Sequence, residues 1–165
     1  MTELKFTASP LPGASYRLEA EMWLPRPLIE VFEFFSNAAN LQRITPDWVN
    51  FQVKTPTPIE VQKGTLIDYT IRMYGIPMPW RTLIDAWEPP YRFVDIQLRG
   101  PYRTWHHEHL FEERDGGTLV KDLVDYAVPG GAVIEWLIVR RDVKRIFEYR
   151  TQSLARILGQ PNAVV

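Results

Sequence analysis

The sequence predicts an α+β domain in which a curved antiparallel sheet wraps around one long C-terminal helix. Two observations carry this. From Trp48 to Val128 apolar residues recur with period two, interrupted by short turn-forming stretches. After Pro129-Gly130-Gly131 the period lengthens to that of a helix and holds to about Gly159, with Pro161 beyond it. A sheet with one apolar face must bury it, and the only large amphipathic element available is that helix.

The elements follow in order. YRLEAEMWL (16–24) alternates Tyr16, Leu18, Ala20, Met22 and Leu24 with Arg17, Glu19 and Glu21, the pattern of a half-buried strand. Pro25 and Pro27 end it, and Pro27 suits the first position of a helix, where a missing N–H costs nothing. Leu28, Val31, Phe32 and Phe35 then fall at helical spacing, and a second short helical turn around Leu41 and Ile44 stops at Pro46. Six further strands are expected at Val49–Thr55, Gly64–Tyr74, Trp80–Trp87, Arg92–Arg99, Arg103–Arg114 and Thr118–Val128. Their connections are short and include Tyr74-Gly75-Ile76-Pro77, Glu88-Pro89-Pro90, Gly100-Pro101 and Asp115-Gly116-Gly117. Short turns make these six successive strands antiparallel neighbours, a meander, and with the strand at 16–24 the expectation is a seven-stranded antiparallel sheet. In the last helix Trp136, Val139, Val143, Ile146, Phe147, Leu154 and Ile157 form one apolar stripe, with Arg150 near its middle. Its other side carries Arg140, Arg141, Lys144 and Arg145, a face that suits anionic lipid or RNA but reads more simply as solvated.

Composition narrows the function classes. A chain of 165 residues suits one domain spanning 1–165. A net charge of −1 argues against a global pull toward nucleic acid. With no cysteine, thiolate metal sites, disulfides and cysteine nucleophiles are excluded. The first residues lack a secretory pattern, and no apolar run reaches transmembrane length, so a cytoplasmic location is expected, with at most transient membrane contact. Glycines mark turns and form no phosphate-cradling motif, so no cofactor is expected.

The stretches PRPLIEVFEFFSNAANLQRITPDW (25–48), KGTLIDYTIRMYGIPMPWRTLIDAWEPPYRFVD (63–95) and RGPYRTWHHEHLFEERDGGTLVKDLVDYAVPGG (99–131) resemble the START/Bet v 1-like superfamily, and within it the polyketide cyclase/dehydrase-like proteins. The resemblance spans nearly the whole chain. It implies a helix-grip fold with a ligand cavity between sheet and helix. It fixes no single activity, since such proteins include carriers of lipids and hydrophobic metabolites, hormone receptors and aromatic-ring cyclases.

All three histidines lie in WHHEHLFE (105–112). On a strand, Trp105, His107, His109 and Phe111 share one face, opposite His106, Glu108 and Leu110. A two- or four-residue loop through Asp115-Gly116-Gly117 gives Val120, Asp122, Val124 and Tyr126 the same face, placing Asp122 beside His109 or Phe111. His107, His109, Asp122, Tyr126 and Arg150 are thus candidates for one polar cluster, and Trp105, Tyr69, Trp80, Trp87, Trp136 and Phe147 for the apolar walls. Three roles stand open for the cluster. His-x-His plus a carboxylate suits zinc, although residues two apart on a strand are about 7 Å apart at Cα and no second motif supports a metal, so none is expected. His109 held by Asp122 suits general-base catalysis with Arg150 on an oxyanion, a cofactor-independent cyclase or dehydratase. A satisfied His–Asp–Arg network suits a purely structural role. The leading functional expectation is binding of a hydrophobic or amphipathic small molecule. A protein-interaction module is the further alternative, and a collapsed cavity would be its sign.

Overall fold

The computed structural model describes residues 3–160. One antiparallel sheet holds eight strands: β1 (Glu3–Ala8), β2 (Tyr16–Leu24), β3 (Gln52–Val53), β4 (Leu66–Met73), β5 (Ile76–Glu88), β6 (Arg92–Arg99), β7 (Thr104–Arg114) and β8 (Gly117–Ala127). Their order across the sheet is β1-β2-β8-β7-β6-β5-β4-β3. Two short helices, α1 (Leu28–Ser36) and α2 (Ala38–Leu41), follow β2. The C-terminal helix runs 28 residues as α3 (Gly131–Ile134), a π-helical segment (Glu135–Val139) and α4 (Arg140–Leu158).

The meander and its helix thus agree with the pattern of the sequence, and the differences have local causes. The sheet has eight strands rather than seven. The extra one, β1, pairs with β2 along its length and places Leu4 and Phe6 against the core beside Tyr16 and Tyr126. The strand expected over 49–55 shrinks to Gln52–Val53, because Asp47–Val49 coils into a 3₁₀ turn that ends at a left-handed Asn50. β5 begins at Ile76 rather than Trp80, since Met73 already pairs with Ile76 across a Tyr74-Gly75 turn. Pro77 and Pro79 are tolerated there because β6 pairs only from Arg81 onward, so on that side no ladder partner is lost. Register shifts between Arg81 and Thr82 and between Ile84 and Ala86 bend β5 around the helix.

The turn that fixes the site is Asp115-Gly116. Arg114 pairs with Gly117, so the loop has two residues, and both have positive φ, 52° and 73°. This is the backbone that a tight hairpin requires and that glycine accepts readily. It sets Trp105 opposite Tyr126, His107 opposite Val124, His109 opposite Asp122 and Phe111 opposite Val120.

The core lies between sheet and helix in two main parts. Phe32, Phe35, Phe93, Phe111, Val120 and Leu154 pack under α1. Leu18, Val124, Tyr126, Val143 and Phe147 pack at the other end of the helix.

Candidate functional site

Between these two packed regions the sheet and helix stand apart, leaving a cavity of about 490 Å³. Its apolar walls come from β4 and β5 (Tyr69, Ile71, Trp80, Ile84), from β7 (Trp105), from the helix (Ile146, Phe147) and from the segment after β2 (Leu41, Val49, Phe51). Tyr69 stacks on Trp80, and Trp105 meets Trp80 edge-on, so the aromatic lining holds itself in place. Trp48, Tyr74, Asp142 and Arg145 lie toward the solvent side. Tyr74 donates to the Asp142 carboxylate, and the Arg145 guanidinium lies 5.0 Å from the Trp48 ring.

At the inner end apolar packing gives way to four charged or ionisable side chains on the cavity wall: Asp95, His107, His109 and Arg150. Asp122 stands directly behind them. His107 Nε2 lies 2.9 Å from Asp122 Oδ1, and His109 Nδ1 lies 2.9 Å from the same oxygen. The second contact is close but off the line of a hydrogen bond, so that buried nitrogen has no well-directed partner. His109 Nε2 lies 2.8 Å from Asp95 Oδ2. Arg150 donates from Nε to Asp122 Oδ2 at 3.2 Å and from Nη2 to Oδ1 at 3.4 Å, with its guanidinium 5.0 Å from the Phe35 ring. The imidazole centroids lie 3.8 Å apart with the rings tilted by 32°, and Phe93 stacks on His109 at 4.1 Å.

The electrostatics follow from this packing. Burial, reinforced by the neighbouring His109, pushes His107 down, and its contact with Asp122 does not restore it. Burial also opposes charge on His109, but contacts with Asp122 and Asp95 outweigh it and raise its pKa. Burial likewise works against ionised Asp122, yet Arg150 and the two histidines hold it well below the usual carboxylate range. Asp95 is lowered for the same kind of reason, chiefly through His109. Of two imidazoles in contact, one is favoured neutral and the other charged.

No family model matches the sequence, and no curated protein matches it. Solved structures do. Protein Ms6760 from Mycobacterium smegmatis aligns over 96% of this chain and 98% of its own, with a TM-score of 0.68 at 14% identity. CalU16 from Micromonospora echinospora covers 96% and 74%, with a TM-score of 0.62 at 15% identity. Ara h 8.0201, a Bet v 1 homologue, covers 84% and 97%, with a TM-score of 0.57 at 18% identity. The fold is the Bet v 1-like helix grip.

In this helix-grip domain the sequence-derived residues fall into three groups. His107, His109, Arg150, Tyr69, Trp80, Trp105 and Phe147 reach the cavity wall. Asp122 supports it from behind, while Trp87 packs away from it against Phe32 and Phe93. Tyr126 and Trp136 do not reach it. Tyr126 is fully buried and donates its hydroxyl to Glu135 Oε1 at 2.7 Å. Trp136 is 63% exposed, because the helix opens into a π turn over 135–139. A π turn holds more residues than an α turn, which rotates Trp136 out of the apolar stripe into solvent while Glu135 remains inside. Asp95 is the functional candidate that the sequence reading lacked. It lies opposite His107 on β6, in a strand where Val94, Ile96 and Leu98 mark the opposite face as the apolar one.

Proposed function

We propose that this helix-grip domain binds a hydrophobic or amphipathic small molecule in the cavity between sheet and C-terminal helix, recognising its polar end through Asp95, His107, His109 and Arg150. One observation carries the reading: an open cavity with aromatic and aliphatic walls ends in a compact group of polar side chains. Ligand pockets of roughly 300–1,000 Å³ have this composition, mostly apolar with a few convergent polar groups. The cavity of about 490 Å³ lies within that range. A collapsed interior, the sign of a protein-interaction module, is not what the packing displays. Lipid, polyketide-like and aromatic metabolites fit the apolar walls, and a hydroxyl, carbonyl or carboxylate fits the polar end. Among the described residues no helix is long and apolar enough to cross a membrane.

Native mass spectrometry of the purified protein, followed by denaturing extraction, tests the reading. A stoichiometric apolar adduct is expected from cell-derived protein or after exposure to lipid and aromatic-metabolite libraries. A mass that stays that of the bare chain in every case refutes it.

A second reading, conversion of the bound ligand in a cyclase- or dehydratase-type reaction, is favoured by the contact of both histidines with Asp122. It requires that His109→Ala or Asp122→Ala abolish turnover while the protein stays folded and still binds. Unchanged product formation in both variants would exclude it.

A further inference from the structure

We propose that Asp95, His107 and His109 form a binding site for a divalent transition-metal ion, zinc foremost, at the inner end of the cavity. One ligand atom from each residue can be chosen so that all lie within 4.8 Å of one another. Residues two apart on a strand start about 7 Å apart at Cα, yet these two rings converge to 3.8 Å. The third ligand comes from the neighbouring strand, where Asp95 lies opposite His107. His109 Nε2 is 2.8 Å and His107 Nδ1 3.8 Å from the same Asp95 oxygen. Tetrahedral zinc with bonds of about 2.0–2.2 Å holds its ligand atoms roughly 3.3 Å apart, between those two distances.

What lies behind the rings strengthens the assignment. The nitrogen of each imidazole that does not face Asp95 lies 2.9 Å from Asp122 Oδ1. Metal-bound histidines characteristically turn their second nitrogen to such an outer carboxylate, which fixes ring orientation. Asp122 is itself held by Arg150, and its hydrogen bond with His107 Nε2 aims that ring before an ion arrives. Two imidazoles and a carboxylate suit zinc and its first-row neighbours. The cavity side leaves a coordination position open. Two carboxylates, one guanidinium and a divalent ion together leave one positive charge, which an anionic oxygen on a cavity ligand would balance. Metal binding does not depend on which organic ligand the cavity takes.

The test uses the full chain, stripped with a chelator and titrated with Zn²⁺ in a calorimeter, with Co²⁺ as an optical reporter. One ion per chain is expected, with strong visible absorption for Co²⁺. His107→Ala, His109→Ala and Asp95→Asn should each weaken binding at least ~100-fold, and Asp122→Asn by about 10–100-fold, as for other outer-shell carboxylates. X-ray absorption on the zinc-loaded wild type needs no variant and should count two imidazoles in the first shell. Absence of binding by the wild type, a first shell without imidazole, or full affinity in folded His109→Ala and Asp95→Asn would each overturn the assignment.

Discussion

Arg17 and Asp125 form a second charged pair, on the face of the sheet away from the cavity. Arg17 donates from Nε and Nη2 to the two carboxylate oxygens at 2.8 and 2.7 Å, and Ser9 Oγ donates to Oδ1 at 2.6 Å. Burial works against the charge on Asp125, but the bonds from Arg17 and Ser9 outweigh it and lower the pKa. A carboxyl lowered in the folded state contributes stability above its unfolded pKa of about 3.9, and loses it as pH falls through the folded value. Arg17→Ala should therefore cost about 2–3 kcal/mol at neutral pH, the worth of hydrogen bonds to a charged group. The difference from wild type should shrink at pH 3. Urea denaturation at both pH values checks this; an equal difference at both would show that lost packing, not charge, is responsible. Residues of this kind were legible in proportion to how firmly their register was set. His107, His109 and Asp122 could be placed because a two-residue turn links their strands. Asp95 could not, because Val94, Ile96 and Leu98 make the opposite face of its strand the more apolar one.

The π-helical segment shows the same limit at the level of an element. Periodicity in 140–158 was plain, and α4 buries Val143, Phe147, Arg150 and Leu154 as that stripe requires. Extrapolating the period toward 136 failed because Glu135, rather than an apolar residue, is the anchor. Glu135 is 1% exposed, accepts from the Tyr126 hydroxyl, and is held by Arg140 at 3.0 and 3.1 Å. A buried glutamate within an apolar run gives no signal in a hydropathy pattern. Glu135→Ala should destabilise by about 1–3 kcal/mol, because the Tyr126 hydroxyl is then buried without a partner. Glu135→Gln should cost less, since it still accepts that bond. Chemical denaturation of the two variants decides it; equal losses would argue against the hydrogen bond as the anchor. β1 was legible but unread: Leu4 and Phe6 alternate with Lys5 and Thr7 in ELKFTA.

For the whole molecule, an interior cavity is stability forgone until something fills it. A ligand that binds only the folded state at a hundred times its Kd adds about 2.7 kcal/mol. In a chain of this size that raises Tm by roughly 5–10 °C. A thermal scan against ligand concentration should show the rise, and substituting Ile71→Trp to fill the cavity should abolish it while the protein stays folded. A rise that persists in the filled variant would place binding elsewhere. The sheet order carries a different consequence. β2 takes β8 as its inner neighbour, and Leu24 pairs with Thr118, 94 positions along the chain. At translation rates of about 5–20 residues per second, the early hairpin of β1 and β2 waits roughly 5–20 s for that partner. During that interval the nascent chain exposes an unpaired strand edge, and the ribosome-bound protein offers chaperones a target that the finished one does not.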